Sequence, residues 1–343
     1  MASNEQGQSG LDVQPKMSIN KAAEFLGISV QAVHRKLKAK NLVCPKIGNK
    51  AFITQEIARP LFELKFKNKI IAGQIVKGGT GKTTAIDNIA CCANSFGAKV
   101  LLIDIDPQGN LTDAHDVDAD ELPVLVDFIQ EGIKVSDGIV NVSPGLDLIA
   151  SRIENVVLDN ILMLKKMNLE KVFHNIFKSV IKDYDFIFID CPPTMGASVT
   201  AATLFCDLIL APLNPDKFSA KGLKILKSEV KNIDDQYDKD IPYKVFLNKF
   251  SGNTILSDKA IATIIADPDM EGRALQTAVR YGQEIPNATD ANKSLFSSLK
   301  KSTLRDDFEA LTMELLEIKS PRSNSRATSG KASSKKRAME EAV

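Results

Sequence analysis

Residues 77 to 84, Lys77-Gly78-Gly79-Thr80-Gly81-Lys82-Thr83-Thr84, combine glycines, a lysine and two hydroxyls at the spacing of a phosphate-binding loop. An apolar run at residues 70 to 76 precedes it and a helical pattern at residues 85 to 90 follows, giving the strand, loop and helix that such a loop needs. The glycines let backbone N–H groups close around phosphate oxygens at a helix N-terminus, where the dipole already favours anions. Gly78, Gly79, Thr80, Gly81, Lys82, Thr83 and Thr84 are therefore candidate nucleotide-binding residues. Lys82 is placed to neutralise the β and γ phosphates, and the Thr83 hydroxyl to complete the coordination of Mg2+. One departure stands out: Val76 occupies the position where the usual pattern starts with glycine, and Lys77 comes next.

Two more apolar runs end in carboxylates. Residues 100 to 105 lead to Asp104 and Asp106, then Pro107-Gln108-Gly109-Asn110, and residues 186 to 189 lead to Asp190-Cys191-Pro192-Pro193. In a parallel sheet the strand C-termini face the ligand crevice, so Asp106 falls at its mouth; a turn-capping role before Pro107 is the alternative, more so for Asp104. Asn248, in Leu247-Asn248-Lys249-Phe250, is a candidate adenine reader or a capping residue. Guanine-specific switches place an aspartate shortly after a similar Asn-Lys pair; Phe250-Ser251 stands there instead, which favours ATP over GTP.

The early lysine, the residues 104 to 110 segment and the residues 190 to 193 segment together resemble the deviant Walker A box and its companions in the ParA/MinD ATPase family. The resemblance covers about residues 17 to 318. It implies an α/β fold with a doubly wound, mostly parallel sheet, a Mg2+-dependent ATPase, and an ATP-dependent homodimer in which Lys77 reaches the partner's nucleotide. It assigns catalytic roles to Lys77, Lys82 and Asp106, with Asp104 in support. It also implies Mg2+ held near Thr83, Asp106 and Asp190, the last through its hydration shell. The mechanism it implies is a clamp timed by nucleotide: the ATP dimer holds nonspecific DNA, a ParB-type centromere-binding partner stimulates hydrolysis, and plasmid or chromosome DNA is segregated.

The chain has 343 residues, 44% of them hydrophobic, and a net charge of +1, so any polyanion must be met by local clusters. The polar N-terminus and the lack of a long apolar run predict a cytoplasmic protein that leaves membranes alone, and the resemblance implies that it associates with the nucleoid. Five cysteines without zinc spacing or a disulfide framework predict reduced thiols. Residues 1 to 16 read as disordered. Residues 18 to 37 read as two capped helices around Gly27, with Gln31, His34, Arg35 and Lys38 facing outwards, and Gly48-Asn49 reads as a hairpin bearing Lys46 and Lys50. This pattern resembles a winged helix-turn-helix, so residues 17 to 66 are expected to form a small DNA-binding domain and those six residues to contact DNA. A helical hairpin used for dimer contacts is the other reading.

Residues 67 to 318 alternate strand and helix patterns, with strands expected at 70 to 76, 100 to 105, 146 to 150, 186 to 190, 208 to 212 and 243 to 248. Leu304, Phe308, Leu311, Leu315 and Ile318 form a core stripe on an acidic helix. The resemblance also implies a DNA-facing basic surface on the ATPase body, for which Arg273, Arg280, Lys293, Lys300, Lys301 and Arg305 are this chain's supply of charge. Residues 319 to 343 read as a basic, disordered tail. Autorepression of its own operon is a second activity the N-terminal module suggests. A nucleotide-responsive transcriptional regulator and an ATPase that positions a protein cargo are the alternative readings.

Overall fold

The computed structural model describes residues 13–251 and 254–321; the expected tail beyond residue 321 and the N-terminus before residue 13 lie outside them. The fold starts before the expected boundary at residue 17. Lys16 is buried, its backbone N–H donates to the Phe296 carbonyl at 2.9 Å, and its own carbonyl accepts from Arg305 Nη2 at 2.6 Å.

β1 (Met17–Ser18) runs into helix Ile19–Leu26, whose N-cap Ser18 accepts from the Lys21 amide at 3.2 Å. Gly27, at φ +62°, turns the chain, and Ser29 caps helix Val30–Ala39 in the same way, accepting from Ala32 N–H. β2 (Lys46–Ile47) and β3 (Lys50–Ile53) form an antiparallel hairpin through Gly48, and β3 pairs with β1 on its other edge. A further helix, Gln55–Phe62, follows; sequence periodicity gave no warning of it, and Pro60 lies inside it.

The large sheet contains β4 (Lys69–Gly73), β5 (Val100–Asp104), β6 (Ile139–Ser143), β7 (Leu146–Ile149), β8 (Phe186–Asp190), β9 (Leu208–Leu213) and β10 (Tyr243–Leu247). Among the described residues its order is β10-β9-β4-β8-β5-β7-β6, parallel throughout except for the edge strand β6. Six strands match the expected positions to within a few residues; β6 was not expected. Side chains alternate between faces, as the pleat demands. Val100, Leu102, Phe186 and Phe188 join one core, and Leu101, Ile103, Ile187 and Ile189 the other. Helices Leu158–Leu164, Leu169–Phe177 and Ala197–Phe205 cover the second face; Lys82–Ser95 and Thr303–Leu315 cover the first. The predicted stripe of Leu304, Phe308, Leu311, Leu315 and Ile318 is buried as expected.

The N-terminal module is fused to that first core. Phe25 packs edge-on against Phe62 and Phe96, at 5.2 and 4.9 Å between ring centroids. Gly97, at φ +98°, lets helix Gln55–Phe62 approach so closely that a Cβ there would lie 2.6 Å from the Arg59 backbone nitrogen. Gln55 and Arg59 both donate to the Gly97 carbonyl, and Lys21 pairs with Asp306 and Glu309 on the C-terminal helix. The boundary expected at residues 66/67 is thus a boundary in chain path, without a break in the apolar core.

Candidate nucleotide site

Strand order explains why three distant motifs meet. β8 lies between β4 and β5, with Gly73 in register with Asp190 and Asp104 in register with Asp190. The segments leaving these three C-terminal ends, residues 74 to 81, 105 to 109 and 191 to 196, therefore emerge side by side, as expected of a ligand crevice in a parallel sheet.

The loop itself is held from outside the crevice. Gly79 and Gly81 adopt φ +74° and +83°, a region open to glycine at little cost. Asn248 Nδ2 donates to the Thr80 carbonyl at 2.7 Å, and Lys249 Nζ donates to the Gly79 carbonyl at 2.8 Å. With these carbonyls engaged from behind, the loop amides are left for an anion. Lys82 Nζ lies 3.3 Å from Asp190 Oδ1, and Thr83 Oγ1 donates to Asp190 Oδ2 at 2.6 Å. Lys77 Nζ lies 2.7 Å from Asp216 Oδ2 of the same chain.

The carboxylates differ in their surroundings. Asp104 is fully buried and accepts from Thr112 N–H, Thr112 Oγ1 and Asp106 N–H, at 3.0, 2.8 and 3.1 Å. Its pKa is pushed up to about 8 by burial and then by the charge of Asp190. Burial likewise pushes Asp190 up, opposed by Lys82 and by the Thr83 hydrogen bond. Asp106 is on the cavity wall, and Asp104 is not. Asp104 therefore braces the turn that carries Asp106.

A cavity of about 580 Å3 spans the loop. Lys77 through Thr84 and Asp106 line one side, and Ile285, Ala288, Thr289, Asn292 and Lys293 the other. That second wall comes from helix Glu284–Asp290 and the turn after it, roughly two hundred residues downstream, and no local motif marked it. Gln108 and Asn110, also on the wall, sit in a segment the sequence did flag; residues 212 to 223, which resemble the family's loop near the dimer face, contain Asp216, whose contact with Lys77 the sequence did not reveal. Asn248, the expected base reader, does not line this cavity: it is buried and its amide nitrogen supports the loop. Phosphate-binding glycines, a buried lysine, a threonine hydroxyl and two nearby carboxylates suit a nucleoside triphosphate with its divalent cation.

The six expected DNA contacts, Gln31, His34, Arg35, Lys38, Lys46 and Lys50, are all exposed on the N-terminal module. Of the basic residues expected on the ATPase body, Lys300 and Lys301 are exposed, while others are engaged elsewhere. Arg305 is buried, with its guanidinium 4.8 Å over the Phe296 ring, and Arg280 grips Asp307 with two nitrogens, at 2.8 and 2.6 Å. Arg273 stacks on Tyr243, and Lys293 faces the nucleotide cavity. The cysteines are free, as expected. No helix among the described residues is long and apolar enough to cross a membrane.

Fold and loop together define a P-loop nucleotide-binding protein. A model of the AAA domain family matches residues 68–243, half of the chain. The chain is 30% identical over 252 residues to a ParA family protein of Chlamydia muridarum, an alignment covering 72% of this chain and 97% of that one. It belongs to the family of ParA/MinD-type ATPases. In fold it is similar to Cyanothece McdA solved in complex with ATP, with a TM-score of 0.65, 23% identity, and 74% and 98% of the two chains covered. It is also similar to a putative plasmid partition protein of Borrelia burgdorferi bound to AMPPNP, with a TM-score of 0.61, 19% identity, and 73% and 99% covered.

Proposed function

We propose that this chain is a DNA partition ATPase that binds ATP with Mg2+, dimerises on it, holds nonspecific DNA, and is released by hydrolysis stimulated by a ParB-type partner. The observation that carries this reading is the pairing of Lys82 and Thr83 with Asp190 beneath a phosphate loop that also presents Lys77. When bound, Mg2+ supplies charge neutralisation on the β and γ phosphates. Lys82 would leave its pair with Asp190 to meet the phosphates, and Thr83 would hold the cation, with Asp190 on its hydration shell. Asp106, on the cavity wall, orients the attacking water. Lys77 exchanges Asp216 for the partner's nucleotide; both side chains are partly exposed, and such a pair stabilises by ~0–1 kcal/mol, a small barrier to the exchange.

A second activity, operator binding with autorepression, is supported by one observation. Gln31, His34, Arg35 and Lys38 share one exposed face of helix Val30–Ala39, and the chain then leads into the hairpin bearing Lys46 and Lys50, an order of elements that fits a winged helix-turn-helix in a major groove.

Binding of random-sequence duplex at fixed salt tests the reading, comparing apo protein, ADP and a slowly hydrolysed ATP analogue. The shared core rules out deleting the N-terminal module, so the comparison uses the double variant Arg35→Glu/Lys38→Glu. Binding that depends on the analogue and survives in this variant supports the partition clamp. Binding indifferent to nucleotide and lost in the variant moves the assignment to a transcriptional regulator.

A further inference from the structure

We propose that Asp87, Cys91 and His115 form a site for one zinc-like divalent transition-metal ion, on the helix that follows the phosphate loop. The donors come from two elements. Asp87 and Cys91 stand four residues apart on helix Lys82–Ser95, hence on the same face, and His115 caps the short helix Asn110–Ala114. The carboxylate, thiol and imidazole donor atoms all lie within 4.8 Å of one another. His115 Nε2 is 3.0 Å from Asp87 Oδ1, and Cys91 Sγ is 3.3 Å from the same oxygen. Around a tetrahedral zinc, ligand bonds of roughly 2.0–2.3 Å separate neighbouring donors by about 3.3–3.6 Å. These two contacts are within a few tenths of an ångström of that spacing, and the third donor pair lies within 4.8 Å.

A second observation points to a ligand. His115 Nε2 is buried and, although close to Asp87, lacks hydrogen-bond geometry to it or to any other group among the described residues. A buried polar nitrogen without a hydrogen bond is costly, and a metal would satisfy it. The charges also balance: a carboxylate, a thiolate and a neutral imidazole neutralise a dication in a buried setting. Cys91 and His115 open onto a cavity of about 270 Å3 that Asp116 and Ser294 also line, leaving room for a fourth ligand such as water; it adjoins the nucleotide cavity, sharing Ala114 and Asn292 with it, and Asp87 lines the nucleotide side. Sulfur and imidazole donors select zinc or cobalt over Mg2+, which takes oxygen ligands, so the site is distinct in preference from the neighbouring nucleotide cavity. Binding converts the Cys91 thiol to a metal-bound thiolate and releases its proton to solvent. Because the thiol must lose its proton to bind, affinity rises with pH. The ion would tie the segment that follows Asp106 to the phosphate-loop helix.

The test titrates Zn2+ into the reduced, chelator-treated full chain against a chromogenic chelator, in excess Mg2+. One equivalent per chain is expected. Cys91→Ser and His115→Ala should each weaken binding by more than the ~10–100-fold that loss of an outer-shell partner costs, with folding checked by circular dichroism. Substoichiometric binding by the wild-type chain, or equal affinity in folded variants, overturns the proposal. Should neither variant fold, the Co2+ spectrum of the wild-type chain decides. Intense tetrahedral bands with thiolate charge transfer support the site, and a weak six-coordinate spectrum refutes it.

Discussion

Replacing Phe25 with alanine tests whether the N-terminal module and the ATPase body share one core. Phe25 is 8% exposed and wedged between Phe62 of its own module and Phe96 at the end of the phosphate-loop helix. Truncating such a ring costs about 3–5 kcal/mol, combining lost transfer energy and the cavity left behind. Unfolding entropy of about 2.1 cal/mol/K per residue gives ~0.6 kcal/mol/K for roughly 300 folded residues, so Tm should fall by about 5–8 °C. The assay is differential scanning calorimetry with and without an ATP analogue. At 100 times its Kd the analogue adds about 2.7 kcal/mol to whatever unit contains the loop. With one core, a single transition moves down with the substitution and up with the analogue. Two transitions, one lowered only by Phe25→Ala and the other raised only by the analogue, would refute the shared core.

Gly81→Ala forces a side chain into φ +83° and sets a methyl 2.5 Å from Asn248 Nδ2. Left-handed strain of ~1–2 kcal/mol plus ~1 kcal/mol for the displaced hydrogen bond to Thr80 predicts roughly 30- to 150-fold weaker binding of a fluorescent ATP analogue. Lys77→Ala should bind that analogue normally yet fail to dimerise with it in light scattering; unchanged dimerisation would remove the role in trans. The Asp104 carboxyl, raised to about 8 from an ordinary 3.8, holds a proton in the folded apo chain that the unfolded chain has released. Its stabilisation is full below about pH 4 and is lost as pH rises towards 8, with a slope approaching 1.4 kcal/mol per pH unit. Urea midpoints of the nucleotide-free chain should therefore fall across that window, and Asp104→Asn should flatten the trend.

The loop, the carboxylates and six strands of the sheet were legible because their signals are local: glycine spacing, and apolar runs ending in aspartate. Residues 139 to 143 escaped because an edge strand needs only a partner, here β7, and its own pattern is mixed. Helix Gln55–Phe62 was hidden by Pro60, and its purpose appears only once Phe25 and Phe96 are seen to need a neighbour. Asn248 was read for its amide chemistry, which is used, but on a backbone carbonyl. Arg305 was read as surface charge because a sequence does not reveal that Phe296 and the Lys16 carbonyl will surround it. The far wall of the cavity, Ile285 to Lys293, has no motif, since shape complementarity to a ligand needs no fixed spacing.

The position of β8 between β4 and β5 also sets a timetable for synthesis. A ribosome delivers β4 and its phosphate loop more than a hundred residues before the strand that must slide in beside it and bring Asp190. Until then the two earlier strands cannot take their final spacing, and their apolar faces await both neighbours. Long-range parallel pairing of this kind is slow and leaves edges open while it waits. For the nascent chain, competence to hold a triphosphate thus waits for the central strand and then for the later segments that brace the loop, Asn248 and Lys249, and wall the cavity, residues 285 to 293.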